Sequence, residues 1–381
     1  MLSFQPFPYK QFRMDKNYIF SPYRFPNKNK TIENRIALAP LTNLHSHEDG
    51  TLSDDEYVWL VSRAKGGFGM IITCAAHVSL DGQGWKGELG IYDNKLLEGL
   101  TRLAKGIKNE NAVSIVQLFH GGARSPQSVT GTQPWSASAH IMPHAKEPVE
   151  IKEATEADIV RVINDFVNAA IRADKAGFDG IELHAAHGYL LHQFLSTATN
   201  KRTDEWGGSL ANRAKILLDI IEKIKVNTSK DFLIGVRISP EDKYTFEGID
   251  FDDSLNLAIM LEKQGIDFLH LSPWDALKKP EKYLKDEKPL VTYFKEALSH
   301  TPIIVAGGIW GKEDAEKALA IGADIVALGK VAIACADWPK RIVDERYVTP
   351  QPPYTSEYLK QQYLGASFID YMKRWKGFVE D

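Results

Sequence analysis

Residues 177–187 read Gly-Phe-Asp-Gly-Ile-Glu-Leu-His-Ala-Ala-His. The apolar run at 180–183 is too short for a helix and too continuous for a half-exposed strand, so it indicates a parallel strand buried on both faces. Gly177 suits the left-handed position that follows many helices, which predicts that a helix ends there. The stretch therefore indicates a helix that leads directly into a buried strand.

The same helix-to-strand join is repeated along the chain, at residues 66–70, 265–268 and 322–325. Short apolar runs of this kind occur at fairly regular distances, at 36–39, 70–73, 114–118, 180–183, 233–238, 268–271, 303–306 and 325–328. Eight such strand and helix units favour a closed (β/α)8 TIM barrel over an open doubly wound sheet. An open sheet would also be expected to carry a Gly-x-Gly-x-x-Gly motif after its first strand, and none follows Ala39.

Two segments predict the first turns of amphipathic helices. Ser53-Asp-Asp-Glu56 and Thr155-Glu-Ala-Asp158 have the spacing of capping boxes or their near variants, in which side chains satisfy free N–H groups of the first turn.

One connection is exceptional, because residues 119–154 are rich in Gly, Pro, Ser and His and form a long irregular insertion after strand 3. Such long segments are usually lids or binding loops. We therefore divide the chain into an N-terminal extension capping the barrel (1–30), the barrel (31–345) and a C-terminal tail (346–381).

Composition excludes several classes of protein. The 381 residues are 44% hydrophobic and 25% charged, and 46 Lys and Arg against 50 Asp and Glu give a net charge of −4, so neither nucleic acid nor a membrane surface is an expected partner. Cys74 and Cys335 alone cannot supply a cysteine-based metal cluster or a disulfide framework. The N-terminus lacks the apolar core of a signal peptide, and no stretch approaches the roughly 20 apolar residues of a membrane span. We expect a cytoplasmic enzyme.

The loops after strands seven and eight predict a phosphate site. They contain Gly307-Gly308 and Gly329-Lys330, and barrels most often hold phosphate with these two loops. Glycines let backbone N–H groups approach phosphate oxygens, and Lys330 adds a cation. Either glycine pair alone could equally form a tight turn.

Residues 184–208 read His-Ala-Ala-His-Gly-Tyr-Leu-Leu-His-Gln-Phe-Leu-Ser-Thr-Ala-Thr-Asn-Lys-Arg-Thr-Asp-Glu-Trp-Gly-Gly. This block resembles the pattern H-A-A-H-G-Y-L-x-x-Q-F-L-S-x-x-x-N-x-R-T-D-x-[YW]-G-G of the old yellow enzyme family, the FMN-dependent ene-reductases and NADH:flavin oxidoreductases. The resemblance extends from about Asn34 to Lys340. It implies bound FMN, NADH or NADPH as a substrate and a small electrophilic alkene as the second substrate, and it leaves a homo-oligomer open.

The resemblance also implies roles for individual residues. His184 and His187 donate hydrogen bonds to the substrate carbonyl oxygen, and Tyr189 protonates the α carbon. Residues in contact with the flavin ring are Pro40, Leu41, Thr42, Ala75, Gln117 and Arg237. Residues that bind the FMN phosphate are Gly307, Gly308, Gly329 and Lys330. Two positions depart from the family, since relatives usually carry arginine at 330 and often glutamate at 74.

Other interpretations of these residues exist. Glu182, His184 and His187 could form the metal site of a barrel hydrolase, but alternation along a strand puts Glu182 and His184 on one face while His187 lies beyond the strand end. We therefore predict no metal. A flavin-binding barrel with little ene-reductase turnover is the other alternative. Arg237 could instead form a structural ion pair. The segment Ser272-Pro273-Trp274-Asp275 follows strand six and could contribute a wall of the substrate site. No individual role is assigned to His45, His47, Trp274 or Arg374.

Overall fold

The computed structural model describes residues 17–26, 28–142, 147–242 and 248–380. Eight parallel strands form its centre: β1 (Ile36–Leu38), β2 (Met70–His77), β3 (Val113–Phe119), β4 (Gly180–Ala185), β5 (Leu233–Ile238), β6 (Phe268–Leu271), β7 (Ile303–Val305) and β8 (Ile325–Leu328). Consecutive strands pair in parallel, and β1 also pairs with β8, so the sheet closes on itself. The predicted (β/α)8 barrel is confirmed.

A helix follows each strand before the next one begins, and one follows β8. These helices are Asp54–Lys65, Leu97–Lys108, Glu156–Ala176, Leu210–Asn227, Phe251–Gln264, Leu290–Ala297, Lys312–Ala320 and Lys330–Ala334. Further short helices span Gln127–Thr130, Leu190–Leu195, Trp338–Arg341, Ser356–Gln361 and Ala366–Met372. No helix among the described residues is long and apolar enough to cross a membrane.

Two apolar layers stabilise the barrel. The larger one lies between the strands and the helices, and the smaller one fills the barrel interior with side chains such as Met70, Ile115 and Phe268. A Cβ atom at Gly235 would lie 2.0 Å from the Phe268 ring, so a glycine on β5 is what allows this ring to enter the interior. The interior is therefore a packed core, and only the open ends of the barrel can hold ligands.

The two predicted capping segments begin helices. At Thr155 the box is complete, because its Oγ1 accepts from the Asp158 N–H and the Asp158 carboxylate accepts from the Thr155 N–H. Ser53 caps its helix in the same way through the Glu56 N–H. The Glu56 carboxylate does not return this bond, since it is fully buried and accepts from Asn43 and from the Cys74 thiol. Burial raises the pKa of both Glu56 and Cys74.

The described N-terminal residues contact the amino-terminal end of the barrel. Tyr23–Arg24 and Thr31–Ile32 pair antiparallel, and the Phe25 ring lies 6.3 Å from the Phe268 ring. Lys28 donates to the carbonyl oxygens of Lys230 and Phe232, just before β5. Residues 1–16 and Asn27, which belong to the predicted extension 1–30, lie outside the described residues, as does Asp381 of the tail. The three-part division of the chain stays a prediction.

The insertion after β3 has short regular elements. Trp135–Ser136 and His140–Ile141 both pair with Glu150–Glu153 in a small sheet. Arg202 ties this sheet to the loop after β4, because its guanidinium donates to the carbonyl oxygens of Ala137 and Ala154. Residues 143–146 of the insertion lie outside the described residues.

Candidate active site

A cavity of about 570 Å³ opens at the carboxyl ends of the strands. This is the end of a barrel where enzymes of this fold carry their active sites. All of the predicted site residues line it: Pro40, Leu41, Thr42, Ala75, Gln117, His184, His187, Tyr189, Arg237, Gly307, Gly308, Gly329 and Lys330. The structure thus brings together residues from the ends of seven different strands.

His184, His187 and Tyr189 form one aromatic group on a wall of the cavity. His184 is on β4 itself, and its ring lies 5.1 Å from that of His187 and 5.0 Å from that of Tyr189. His187 has a left-handed backbone, with φ of 59°, which turns the chain sharply after the strand. The Tyr189 ring also packs edge-on against Phe119 at 4.5 Å. These contacts keep the side chains of His184, His187 and Tyr189 together at the cavity.

The protonation states of this group follow from its surroundings. Burial, and then the neighbouring His187 and Arg237, hold the pKa of His184 well below 6.5. Burial and Arg237 do the same to the pKa of His187. Burial raises the pKa of Tyr189 above 10 against the opposing charge of Arg124. At neutral pH the group therefore consists of two neutral imidazoles and a protonated phenol, all of which can donate a hydrogen bond.

His187 is oriented by two serines. Its backbone N–H donates to Ser239 Oγ at 3.0 Å, and its Nε2 lies 2.9 Å from Ser272 Oγ. Arg237 Nη2 donates to the same Ser272 oxygen at 3.0 Å. Ser272 is thus a site residue that the sequence did not identify beyond its place in a segment after strand six. The strand-end position is the only signal that could have found it.

A second wall of the cavity carries Gln117 and Arg237. Gln117 Nε2 donates to Glu182 at 2.7 Å, and the other Glu182 oxygen lies 2.7 Å from His270 Nδ1. Burial lowers the pKa of His270, so its neutral ring donates this bond at neutral pH. Because a carboxylate only accepts hydrogen bonds, the Gln117 amide must turn its Nε2 to Glu182 and leave its oxygen for a ligand.

Arg237 is buried and incompletely bonded. Besides Ser272, its guanidinium reaches only the Pro40 carbonyl oxygen at 3.5 Å, and its Nε has no hydrogen-bond partner in the described part of the chain. Burial lowers the pKa of Arg237, and the nearby Glu182 opposes this. An unpaired buried N–H is costly, so a ligand acceptor at this point fits the side chain. The pyrimidine edge of a flavin has the required acceptors.

The two glycine loops form an open cradle beside Lys330. A Cβ atom at Gly307 would lie 2.3 Å from the Pro273 carbonyl oxygen, and φ there is 138°, so a residue other than glycine would be strained. At Gly329 a Cβ atom would meet only Leu41, at 3.5 Å, and would occupy cavity space. The Lys330 ammonium is exposed and lies 5.4 Å from the Trp375 ring. This arrangement fits a phosphate group.

The C-terminal tail contributes residues that sequence reasoning did not assign to the site. Tyr371, Met372 and Trp375 line the cavity. Arg374 lies over the Tyr371 ring at 5.4 Å. The aromatic and basic composition of residues 371–375 is a weak signal, because it also fits a surface helix.

His45 has a structural contact with the same tail. Its Nε2 accepts the Gly365 N–H at 3.1 Å, and its ring packs edge-on against Phe368. His47 is exposed. Trp274 lines the cavity mouth with 65% of its surface exposed.

Within the described ranges, no group of three or more His, Cys, Asp or Glu side chains could hold a metal ion. In particular, both Glu182 oxygens are bound to Gln117 and His270, away from His184 and His187. The residues that would form a hydrolase metal site are therefore not arranged as one.

Comparison with known proteins identifies the family. Residues 18–349 match the model of the NADH:flavin oxidoreductase / NADH oxidase family. The chain is 33% identical over 333 residues to the probable NADH-dependent flavin oxidoreductase YqiG of Bacillus subtilis, covering 86% of this chain and 88% of that one. It is 35% identical over 334 residues to the NADH:fumarate oxidoreductase of Klebsiella pneumoniae, covering 85% of this chain but only 36% of that longer protein.

The fold is also that of a solved structure, the old yellow enzyme homologue from Zymomonas mobilis, with a TM-score of 0.78 and 27% identity over 91% of this chain and 98% of that one. The family that the sequence resembles is thus confirmed. The chain belongs to the NADH:flavin oxidoreductase / NADH oxidase family, the old yellow enzyme family, and is an oxidoreductase that uses FMN and NAD(P)H.

Proposed function

We propose that this enzyme reduces the C=C bond of electron-poor alkenes such as enones. The observation that carries the proposal is the convergence of His184, His187 and Tyr189 on one cavity whose other wall presents Gln117 and Arg237. One set of residues suits an acceptor oxygen of a substrate, and the other suits the polar edge of a flavin. An alkene bound between them would lie against the flavin ring.

The chain would hold FMN through both ends of the cofactor. The free oxygen of Gln117 would accept an N–H of the pyrimidine ring, and the Arg237 guanidinium would stabilise the negative charge that the reduced ring acquires there. Thr42, Pro40, Leu41 and Ala75 would line the rest of the ring. Gly307, Gly308, Gly329 and Lys330 would surround the phosphate. Bound there, FMN would supply the hydride chemistry that links oxidation of NAD(P)H to reduction of the alkene at its β carbon.

The two histidines would bind and activate the alkene. Because both imidazoles are neutral, each can donate one N–H to the substrate carbonyl oxygen. Negative charge grows on that oxygen as the hydride arrives at the β carbon, so these hydrogen bonds strengthen in the transition state.

Tyr189 would complete the reduction. Its phenol is protonated at neutral pH and lies beside His184, so it can protonate the α carbon next to the activated carbonyl. The alkene then gains one hydride and one proton, NAD(P)H becomes NAD(P)+, and water restores the phenol proton. The name of the related NADH:fumarate oxidoreductase supports this substrate class, since fumarate is an electron-poor alkene.

The experiment is an anaerobic reaction of the purified holoenzyme with NADH and 2-cyclohexenone, followed by chromatography of the product. We expect one cyclohexanone for each NADH consumed. Recovery of unchanged 2-cyclohexenone and of related enones and nitroalkenes, with NADH consumed only when oxygen is admitted, would contradict the proposal.

A further inference from the structure

Arg124 places a cation beside the proposed proton donor. It ends the turn Gly122–Arg124 at the start of the insertion after β3, and it lines the cavity. Its guanidinium carbon lies 4.4 Å from the centre of the Tyr189 ring, and its Nη1 donates to the His187 carbonyl oxygen. The positive charge of Arg124 therefore lies beside Tyr189 and His187, two of the three residues proposed to act on the substrate.

Most N–H donors of the Arg124 guanidinium form no hydrogen bond with the described residues. An arginine carries five N–H donors, and the described contacts of Arg124 use one of them for a hydrogen bond. Within the described ranges, no carboxylate pairs with Arg124. Arg124 is thus a cation at the cavity whose ion-pairing capacity is unused by these residues.

Two acidic residues that line the cavity, Glu241 and Asp242, have a cationic or imidazole neighbour of their own. The Glu241 carboxylate lies 3.1 Å from Lys278 Nζ. Asp242 Oδ2 lies 3.0 Å from His192 Nε2. Neither of these contacts draws on Arg124.

A neutral enone does not require this charge, whereas an unsaturated carboxylate does. The single carbonyl oxygen of an enone can be satisfied by His184 and His187. A carboxylate attached to the α carbon has a second oxygen and a full negative charge, and removing it from water is unfavourable unless a cation compensates. The α carbon is also the atom that Tyr189 would protonate, so a carboxylate attached to it would lie close to Arg124.

From this geometry we infer that Arg124 is a substrate-binding residue that selects α,β-unsaturated carboxylates over uncharged alkenes. The inference rests on the proposed function, because it takes the cavity to be the site where an alkene is reduced. It adds that the preferred alkene carries a negatively charged carboxylate. Arginine suits the role because its planar fork matches a carboxylate.

Binding of a non-reacting pair of ligands tests the inference without turnover. Propionate and propionamide are nearly the same size and differ in charge, and their dissociation constants can be measured from changes in the flavin absorbance of the holoenzyme. We expect Arg124→Gln to weaken propionate relative to propionamide by about 10- to 100-fold, the range for a hydrogen bond to a charged group. Arg124→Lys should recover part of this preference because it restores the charge.

Arg172→Gln is the matched control. Arg172 lies on the outer helix Glu156–Ala176, bonded to Asn94 and to the Ile91 carbonyl oxygen, so its loss removes a cation far from the cavity. It should leave the propionate to propionamide ratio unchanged. An Arg124→Gln variant that retains FMN and keeps the wild-type ratio, including one that weakens both ligands equally, would overturn the inference.

Turnover separates this inference from the proposed function. The pair acrylate and acrylamide should show the same selective loss in kcat/KM for Arg124→Gln. A wild-type enzyme that binds propionate through Arg124 but reduces neither alkene would support the carboxylate site and contradict the ene-reductase proposal.

Discussion

Gln117 Nε2 lies 2.7 Å from Glu182 Oε1, in the interior of the barrel where both side chains are buried. The two residues are on neighbouring strands, β3 and β4, and His270 on β6 holds the other Glu182 oxygen. This contact fixes which end of the Gln117 amide faces the cavity. It also keeps one buried negative charge near Arg237.

Removing the negative charge of Glu182 should raise the reduction potential of bound FMN. In Glu182→Gln the carboxylate that partly offsets Arg237 is lost, so the reduced, negatively charged ring is favoured. We expect the two-electron reduction potential of bound FMN to rise by about 30 to 60 mV, which corresponds to about 1.4 to 2.8 kcal/mol. Anaerobic titration against reference dyes measures it. The exposed Glu222→Gln on an outer helix is the control, and an unchanged or lower potential in Glu182→Gln would refute the charge argument.

Tyr189→Phe should separate the two half-reactions. The phenylalanine keeps the packing against Phe119 and His184 but has no proton to give. We expect reoxidation of the reduced flavin by 2-cyclohexenone to slow by about 10²- to 10⁴-fold, while flavin reduction by NADH changes by less than about threefold. Rapid-mixing absorbance measurements give both rates. Equal losses in the two steps would show that Tyr189 is not the proton donor.

The alkene half-reaction should be nearly independent of pH around neutrality. The pKa values of His184 and His187 lie below 6.5 and that of Tyr189 lies above 10, so all three groups keep their active protonation states between these limits. The histidines would become charged only as the pH falls below 6.5, and the phenol would ionise only above pH 10. We expect the reoxidation rate to vary by less than about twofold from pH 7 to 9. A single-group inflection inside this interval is the contrary result.

Lys330 provides a test of the phosphate cradle. Its ammonium is exposed, so the attraction to phosphate is moderate and screened by salt. Lys330→Met should weaken FMN binding by about 3- to 10-fold, and Lys330→Arg should strengthen it because a guanidinium can bind two phosphate oxygens. Fluorescence titration of the apoenzyme with FMN measures both. Lys317→Met, on the surface of the helix Lys312–Ala320, should have no effect, and an equal absence of effect at Lys330 would exclude it from the phosphate site.

The barrel was predictable because its strands are marked locally. Each strand is a short continuous apolar run, and Gly177 and Gly265 mark the ends of the helices that precede β4 and β6. Strand β2 is longer than predicted, since it continues beyond a register shift between Ile72 and Ala75 to pair with Leu89–Gly90. Such an extension depends on a partner strand and leaves no periodic pattern in the sequence.

The contacts that orient the site residues could not be predicted. Glu182 is bonded to Gln117 and His270, which lie 65 and 88 positions away in the chain, and only the arrangement of the strands in the barrel brings these side chains together. Nothing in the sequence distinguishes Ser272 from other serines. Its position directly after β6 places its hydroxyl between His187 and Arg237. Similarly, Glu56 has the spacing of a capping residue, yet burial beside Cys74 and Asn43 takes its carboxylate elsewhere.

The most direct test of the ene-reductase assignment is a sequential anaerobic mixing experiment on the holoenzyme. NADH or NADPH should bleach the visible flavin absorbance in a first step, and 2-cyclohexenone added to the reduced enzyme should restore it in a second step with formation of cyclohexanone. A flavin that is bleached by NAD(P)H but stays reduced in the presence of 2-cyclohexenone and of acrylate would contradict the central claim.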